Sequence, residues 1–224
     1  MSPWRLLRRG TCAAGIAVAV YGVALRPWHL RWGATEDEVR RTLPGDELVA
    51  TPMVAATRAI TIECPPDEVW PWLVQQGYGR AGWYAYRIDN AWRPSPDYVV
   101  PEWQHLAVGD VLQTDARSGF TVTELESNHY WVGVIDGERG RISAVQYLEP
   151  RADGTTRLVQ RVRAYFAPTL GALAFWVAFD LGDFVFMRKQ LLGIKRRAEA
   201  AATREDLVPG GGGERTRMSR SFRR

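Results

Sequence analysis

The sequence has few of the side chains that build disulfide scaffolds and transition-metal centres. Two cysteines among 224 residues are too few for a disulfide framework or a cysteine-rich zinc site. Three histidines, far apart along the chain, leave little material for a metal centre. The sequence holds no Gly-x-x-x-x-Gly-Lys string and no serine nucleophile elbow, which argues against a phosphate-binding loop and serine hydrolysis. We therefore predict no metal ion and no cofactor.

Positive charge is concentrated at the two ends of the chain. The net charge is +4 overall, with +5 in residues 1–32 and +4 in residues 209–224, so residues 33–208 carry −5. A nucleic-acid-binding face requires clustered positive charge that displaces counterions from the phosphates. The charge of the central part therefore predicts that it binds no nucleic acid.

The composition divides the chain into three parts. Residues 1–32 form a basic N-terminal segment with an apolar run, and residues 33–208 have the composition of one folded domain. Pro209 and the four glycines after it open a tail, 209–224, that is rich in glycine and arginine. This composition is typical of a disordered terminus.

An uncharged, apolar stretch, residues 10–25, lies between Arg9 and Arg26. As a helix it would span about 24 Å, short of the roughly 30 Å hydrocarbon core of a bilayer, but the flanking arginines can extend toward the interface. We interpret it as an uncleaved anchor helix, which predicts a single-pass membrane protein. A secretory signal peptide and a helix buried in the domain are the alternatives. Arginines on both sides leave the orientation open.

Alternating, β-branched segments predict an antiparallel sheet. The predicted strands are 58–63, 120–126, 130–135, 142–148 and 157–165. After the first strand, Pro65 and Pro66 followed by two acidic residues predict a helix that ends at Gly77. Asp-Gly pairs at 136–137 and 153–154 are typical of hairpin turns, so consecutive strands should run antiparallel.

The last part of the domain carries one apolar stripe at helical spacing. The stripe lies within residues 181–202 and consists of Phe184, Met187, Leu191, Ile194, Ala198 and Ala201. Such a helix must bury its stripe, and the concave face of the predicted sheet is the surface available to it. The apolar run 170–179 before it is predicted to be a lid over a cavity or an interfacial segment.

Several short strings of the sequence resemble those of a known superfamily. They include Trp70-Pro71-Trp72, Gly79-Arg80-Ala81-Gly82-Trp83-Tyr84 and Leu106-Ala107-Val108-Gly109-Asp110. Together with the order of the predicted elements, they make residues 40–200 similar to the START-like (SRPBCC) superfamily of Bet v 1-type and polyketide cyclase/dehydrase-like proteins, and in particular to a bacterial subgroup.

The resemblance implies an α+β helix-grip fold. In this fold a curved antiparallel sheet wraps around a long C-terminal helix, here preceded by the N-terminal apolar helix. It also implies a cavity between the sheet and that helix, which holds hydrophobic or aromatic small molecules. It supplies no catalytic residue, because the superfamily has no shared catalytic set.

Alternation along two strands predicts which side chains face that cavity. Gln146 and Gln160 fall on the apolar inner faces of their strands. They are either contacts to a ligand or amides satisfied within a filled core. Arg157, Arg161 and Arg163 share the opposite face, which we therefore interpret as the solvent side.

The segment 78–105 is rich in aromatic residues, whose rings are suited to hold flat or apolar ligands. The candidates for ligand binding there are Arg80, Trp83, Tyr84, Tyr86 and Trp103. The arginine either clamps a ligand carboxylate or pairs with Asp89. His105 with Glu102 is the best candidate of the chain for general acid–base catalysis, although such a pair is also common without catalysis.

These observations predict a membrane-tethered domain that binds a hydrophobic small molecule or lipid between the sheet and the C-terminal helix. One alternative is an enzyme that resembles polyketide aromatase/cyclases, in which the shape of the cavity positions a reactive chain. The other alternative is a ligand-free module that binds a partner at the membrane. The volume and lining of the cavity discriminate among the three.

Overall fold

The computed structural model describes residues 20–137, 140–166 and 170–206. Its centre is a six-stranded antiparallel sheet with the strand order β1-β6-β5-β4-β3-β2. The strands are β1 (Val54–Ile62), β2 (Val111–Gln113), β3 (Gly119–Glu126), β4 (Tyr130–Gly137), β5 (Gly140–Pro150) and β6 (Thr156–Phe166). The helices are α1 (Arg26–Leu30), α2 (Glu36–Arg40), α3 (Pro66–Val74) and α4 (Leu170–Asp206). A curved sheet followed by a long terminal helix is the α+β architecture predicted from the sequence.

Every neighbouring pair of strands is antiparallel, as the hairpin signals predict. β5 and β6 pair along their whole length, from Gly140 opposite Phe166 to Pro150 opposite Thr156. β1 occupies one edge of the sheet and pairs with β6. Because side chains alternate along each strand, one face of the sheet contacts α4 and the other contacts the segment 33–50.

The helix α3 begins where its sequence predicts and ends at Val74, before the predicted end at Gly77. Pro66 is its first residue, where a missing amide hydrogen costs nothing, and two acidic residues occupy the first turn. The helix buries Trp72 and Leu73 in the core. After the helix the chain turns at Gly77, whose φ of +123° favours glycine.

The C-terminal helix is longer than predicted. α4 begins at Leu170 and runs without interruption to Asp206. The apolar run 170–179, predicted to be a separate lid or interfacial segment, is therefore the first part of this helix. Three residues of the predicted stripe, Leu191, Ile194 and Ala198, are fully buried in the core. This burial confirms that α4 packs its apolar face on the sheet.

The outer face of the sheet is covered, so the prediction that its arginines face solvent is wrong. Residues 33–50 pack on this face, with Leu43 and Leu48 around Val159. Arg161 is only 4% exposed. Its guanidinium donates to backbone oxygens of residues 33–50, which we call the covering segment. The covering segment is distant from β6 along the chain, and no local pattern in either shows that they dock.

No helix among the described residues is long and apolar enough to cross a membrane. This finding contradicts the predicted localisation as a single-pass membrane protein. Within the proposed anchor, Tyr21–Leu25 form a short π-helical turn that continues into α1. This segment packs on the domain, where Tyr21 and Arg26 donate to the carboxylate of Asp180 in α4. Residues 10–19 and the tail 209–224 lie outside the described residues.

A buried histidine joins this N-terminal segment to the domain. His29 is 2% exposed, and its Nε2 atom lies 3.2 Å from the hydroxyl of Tyr21 and 3.5 Å from the carboxylate of Asp180. Burial lowers the pKa of His29 below its usual 6.5, and Asp180 opposes this shift only in part. The other charges that act on it are Arg58, Arg26 and Asp183. Native His29 is therefore protonated only at a lower pH than in the unfolded chain.

We expect the free energy of unfolding to fall as the pH is lowered from about 7.5 to about 5.5. Below pH 6.5 the unfolded chain binds a proton at His29 that the native protein binds only at its lower pKa, so acid favours unfolding. Urea denaturation across this range measures the slope, and His29→Gln should flatten it. His105→Gln, at an exposed position, is the control. A slope that His29→Gln leaves unchanged would contradict this assignment.

Candidate functional site

A row of polar side chains crosses the concave face of the sheet beneath α4. The strand register places Trp131, Gln146, Gln160 and Arg58 side by side on β4, β5, β6 and β1. The indole Nε1 of Trp131 donates to Oε1 of Gln146 (3.0 Å). Nε2 of Gln160 donates to Oε1 of Gln190 in α4 (3.2 Å). Buried amides as well as apolar contacts therefore bind the helix to the sheet.

Two amide atoms of this row have no hydrogen-bond partner among the described residues, Nε2 of Gln146 and Oε1 of Gln160. Both side chains are buried, and leaving a buried polar group without a partner costs about 1–3 kcal/mol. Buried polar atoms in native proteins are normally satisfied by protein groups or ordered water. Both atoms therefore retain an unused capacity to form a hydrogen bond in the core under α4.

A cavity of about 80 Å³ adjoins this row between the sheet and α4. Its lining consists of Trp83, Thr114, Phe120, Trp131, Ala144, Gln160, Val162, Phe186 and Met187. Aromatic rings pack against one another there, since the ring centroid of Trp83 lies 6.1 Å from that of Phe120 and 6.5 Å from that of Trp131. An apolar lining with one hydroxyl and one amide is typical of a small-molecule site.

The volume limits what this cavity holds in the observed conformation. At about 30 Å³ for each water it accommodates about three water molecules, whereas ligand pockets have volumes of about 300–1,000 Å³. Most of the space under α4 is filled by buried side chains, among them Trp72, Leu148, Leu158, Leu191 and Ile194. A ligand of ordinary size therefore enters only if side chains of the lining move.

Phe186 and Met187 of α4 are the lining side chains best placed to move. Both are only partly buried, and methionine is unbranched, with several rotatable bonds. The ring of Phe186 lies 6.4 Å from that of the exposed Tyr86. Rotation of these two side chains would enlarge the cavity toward the surface.

Three of the predicted ligand-binding residues lie together at the cavity. Trp83 and Gln160 line it, and Gln146 is hydrogen-bonded to Trp131 of the lining. The two glutamines come from neighbouring strands whose alternation places them on the same face. The indole comes from the loop that follows α3.

The other four predicted residues lie elsewhere. Arg80 and Trp103 line a separate surface groove beside the end of α4. Tyr84 is buried, and its hydroxyl accepts a hydrogen bond from Nε2 of Gln75 (2.8 Å). Tyr86 is exposed, with the ammonium group of Lys189 over its ring. None of these four contributes to the lining of the cavity.

Arg80 and Asp89 lie in the loop between α3 and β2. They do not form the ion pair that was one of the two alternatives for Arg80. The carboxylate of Asp89 accepts hydrogen bonds from three backbone amides in residues 83–86. Arg80 instead donates to the carbonyl oxygens of Val74 (3.0 Å) and Trp103 (2.6 Å). The aspartate therefore fixes the conformation of the loop, and no carboxylate of the described residues pairs with the arginine.

His105 and Glu102 are both exposed, and in the part of the chain that the structure describes no hydrogen bond or ion pair joins them. Glu102 lies in a short 3-10 turn, Pro101–Trp103. Neither residue lines the cavity. Their role as an acid–base pair stays a prediction from the sequence.

Sequence reasoning missed a buried ion pair at the end of the polar row. Nη1 of Arg58 in β1 donates to Oδ2 of Asp183 in α4 (2.6 Å), and its Nε donates to the carbonyl oxygen of His29 (2.9 Å). A signal was available, because Arg58 falls on the same side of β1 as Ile60 and Ile62, which belong to the core.

The strand order and the helix across the concave face define an α+β protein of helix-grip architecture. No family model matches the sequence, and no curated protein matches it. Among solved structures, the chain is similar to the polyketide cyclase-like protein Cgl2372 from Corynebacterium glutamicum, with 16% identity, coverage of 71% of this chain and 97% of that one, and a TM-score of 0.40.

Two further solved structures resemble it. The di-domain ARO/CYC BexL from the BE-7585A biosynthetic pathway has 15% identity, coverage of 68% of this chain and 48% of that one, and a TM-score of 0.40. Protein MLL2253 from Mesorhizobium loti has 17% identity, coverage of 62% and 97%, and a TM-score of 0.38. Cgl2372 is described as polyketide cyclase-like, the class that the sequence resembles, but TM-scores of 0.38–0.40 carry no argument that this chain belongs to it. At such identities and TM-scores the matches carry nothing about the function.

Proposed function

We propose that this protein binds a hydrophobic small molecule in the cavity between its sheet and α4. The observation that supports the proposal is an aromatic-lined cavity with Gln160 in its lining, whose buried Oε1 atom has no partner among the described residues. A ligand with an apolar body and one polar group suits both features. Its body would contact the rings, and its polar group would donate a hydrogen bond to Oε1 of Gln160.

The lining favours binding over a reaction. Among the described residues that line the cavity, Thr114 and Gln160 carry the polar groups, apart from the indole N–H groups of Trp83 and Trp131, which donate to Gln113 and Gln146. General acid–base catalysis near neutral pH uses groups such as imidazole or carboxylate, which titrate closer to that pH than a hydroxyl or an amide. The protein would therefore act as a carrier or receptor of its ligand, and the cyclase-like enzyme is the second candidate.

The small volume restricts the class of ligand. Widening a packed core costs about 1–3 kcal/mol for modest changes in shape, and rotation of Phe186 and Met187 opens space only next to the present cavity. A flat molecule of one or two rings fits this limit better than a long acyl chain. The proposed ligand is therefore a small aromatic or cyclic molecule with one polar group.

Titration of the full chain with 2-naphthol, a flat neutral molecule with one hydroxyl, tests this proposal. Calorimetry should show one site, and binding should change the tryptophan emission because Trp83 and Trp131 line the cavity. Gln160→Leu should weaken binding about tenfold, since it removes a buried hydrogen bond to the ligand. Ala144→Leu should abolish binding because it fills the cavity.

Ala55→Leu is the matched control for this test. Ala55 lies in β1, and its side chain is exposed on the face of the sheet that points away from the cavity. The same substitution there should therefore leave the affinity unchanged. Solvent extraction of the purified protein and mass spectrometry give an independent measurement, in which we expect a co-purified cyclic molecule. The cavity is not the site if Ala144→Leu binds as tightly as the wild type, or if the wild type neither binds 2-naphthol nor yields an extracted molecule.

A further inference from the structure

A surface groove of about 920 Å³ lies between residues 79–103 and the last turns of α4. The arginines that line it are Arg80, Arg93, Arg196, Arg197 and Arg204. Asp97 is the one carboxylate among the described residues of the lining. Since residues 33–208 carry a net charge of −5, this concentration of positive charge is local and does not follow from the composition of the domain.

Backbone carbonyl groups, not carboxylates, hold the two inner arginines of the groove. Arg80 donates to two carbonyl oxygens, the nearer being that of Trp103 (2.6 Å). Nε of Arg197 donates to the carbonyl oxygen of Pro96 (2.9 Å), and its guanidinium lies 4.7 Å from the ring centroid of Tyr84. Carbonyl oxygens orient a guanidinium without cancelling its charge, and its five N–H donors leave several for a ligand.

The charge of these side chains is not neutralised. Within the described residues, none of the five guanidinium groups forms an ion pair with a carboxylate. Burial lowers the pKa of Arg80 and of Arg197, although nearby negative groups act in the opposite direction. Withdrawing a guanidinium from water without a counterion is unfavourable. A bound anion would recover that cost.

Apolar surface lies beside the charge. Tyr98 is 62% exposed, and Trp103 is half-buried. Pro94 and Pro96 belong to the same lining. Aromatic rings favour offset stacking with other flat groups. The volume of the groove also lies within the range of about 300–1,000 Å³ that is usual for small-molecule sites.

We propose that this groove binds a small organic anion, with its phosphate or carboxylate group on Arg80 and Arg197 and its flat apolar body against Tyr98 and Trp103. A guanidinium binds either oxyanion through two parallel hydrogen bonds, so the two share one recognition chemistry. A nucleic acid would require a longer track of positive charge. The groove and the cavity under α4 share no lining residue, so this proposal stands or falls separately from the proposed function.

Calorimetry of the full chain with phenyl phosphate, benzoate and phenol, in a buffer without phosphate, tests the groove. At least one of the two anions should bind at a site that Arg197→Gln weakens, whereas that substitution should leave any binding of neutral phenol in the cavity under α4 unchanged. A preference for phenyl phosphate indicates a phosphate ester as the natural ligand, and a preference for benzoate indicates a carboxylic acid. Arg197→Gln should weaken the preferred anion about 10- to 100-fold, as expected when a charge-assisted hydrogen bond is lost.

Two further variants keep the result interpretable. Arg197 also donates to the carbonyl oxygen of Pro96, so its loss can disturb the loop as well as the binding of the anion. Arg196→Gln removes a charge at an exposed position of the same groove without this risk, and it should weaken binding about threefold. Arg151→Gln removes the same charge at an exposed turn outside the groove and should leave the affinity unchanged.

Three outcomes would overturn this assignment. The first is that neither phenyl phosphate nor benzoate binds. The second is that Arg151→Gln weakens binding as much as Arg197→Gln does, which would show an unspecific effect of net charge. The third is that a single-stranded oligonucleotide displaces phenyl phosphate at physiological salt, which would assign the groove to nucleic acid.

Discussion

Replacing either Arg58 or Asp183 by leucine is expected to lower the free energy of unfolding by about 3–5 kcal/mol. The two side chains are 2% and 7% exposed, and Nη1 of the arginine lies 2.6 Å from Oδ2 of the aspartate. Each single substitution leaves the other group buried without its partner. A buried charge then has to be neutralised or remain unpaired in apolar surroundings, and both are costly.

This pair matters because it joins the long helix to the edge strand of the sheet. Arg58 also donates from Nε to the carbonyl oxygen of His29 (2.9 Å), and its guanidinium lies 5.6 Å from the ring centroid of Phe184. Burial raises the pKa of Asp183, and the charge of Arg58 opposes that shift. Loss of Arg58 should therefore leave Asp183 protonated over a wider range of pH.

Urea denaturation of both single variants and of Arg58→Leu/Asp183→Leu measures this coupling. The double variant should be more stable than either single variant, since apolar groups replace both charges at once. Arg141→Leu is the control, because the pair of Arg141 with Asp136 is exposed and should contribute little. Strictly additive effects of the two single substitutions would show that Arg58 and Asp183 are not coupled.

Five of the six strands in the described residues, all except β2, and the terminal helix were predictable because their signals are local. The predicted strand 157–165 corresponds to β6, Thr156–Phe166, and the predicted strand 142–148 corresponds to its partner β5, Gly140–Pro150. Alternation predicted both strands, and the Asp-Gly pair at 153–154 predicted the turn between them. The apolar stripe predicted α4, although its start was placed at 181 and not at Leu170. Helical period, strand period and turn chemistry each act within a few residues, so a single sequence carries them.

The candidate sites were predictable only in part, because they depend on docking between distant segments. Alternation placed Gln146 and Gln160 under the helix, but the volume left beside them depends on how Trp72 of α3 and Trp131 of β4 fill the core. The groove depends in the same way on Arg197, which α4 brings beside the loop after α3. No pattern within either segment indicates the other.

Replacing Arg161 by methionine is expected to lower the free energy of unfolding by a similar amount, about 3–5 kcal/mol. Its guanidinium donates to Oδ2 of Asp46 (2.6 Å) and to the carbonyl oxygens of Glu38 (2.6 Å) and Arg41 (2.9 Å). Methionine leaves these acceptors without their donors between the sheet and the covering segment, where water does not replace them fully. Urea denaturation measures the loss.

Arg163→Met is the matched control on the same face of β6. Arg163 donates to the carbonyl oxygens of Val49 (2.9 Å) and Ala50 (3.0 Å). It lies 3.5 Å from the carboxylate of Asp46, and its side chain is more exposed than that of Arg161. Water can satisfy these acceptors when the guanidinium is removed. The same substitution should therefore cost only about 1 kcal/mol.

Amide hydrogen exchange separates the local effect from the global one. The amides of Val39 and Arg41 bond within the turn of α2, and they should exchange faster in Arg161→Met while the paired amides of β5 and β6 remain protected. Unchanged exchange in α2, or equal losses of stability in the two variants, would show that apolar contacts around Leu43 hold the covering segment. Faster exchange confined to α2 would show that one buried guanidinium binds this segment to the sheet.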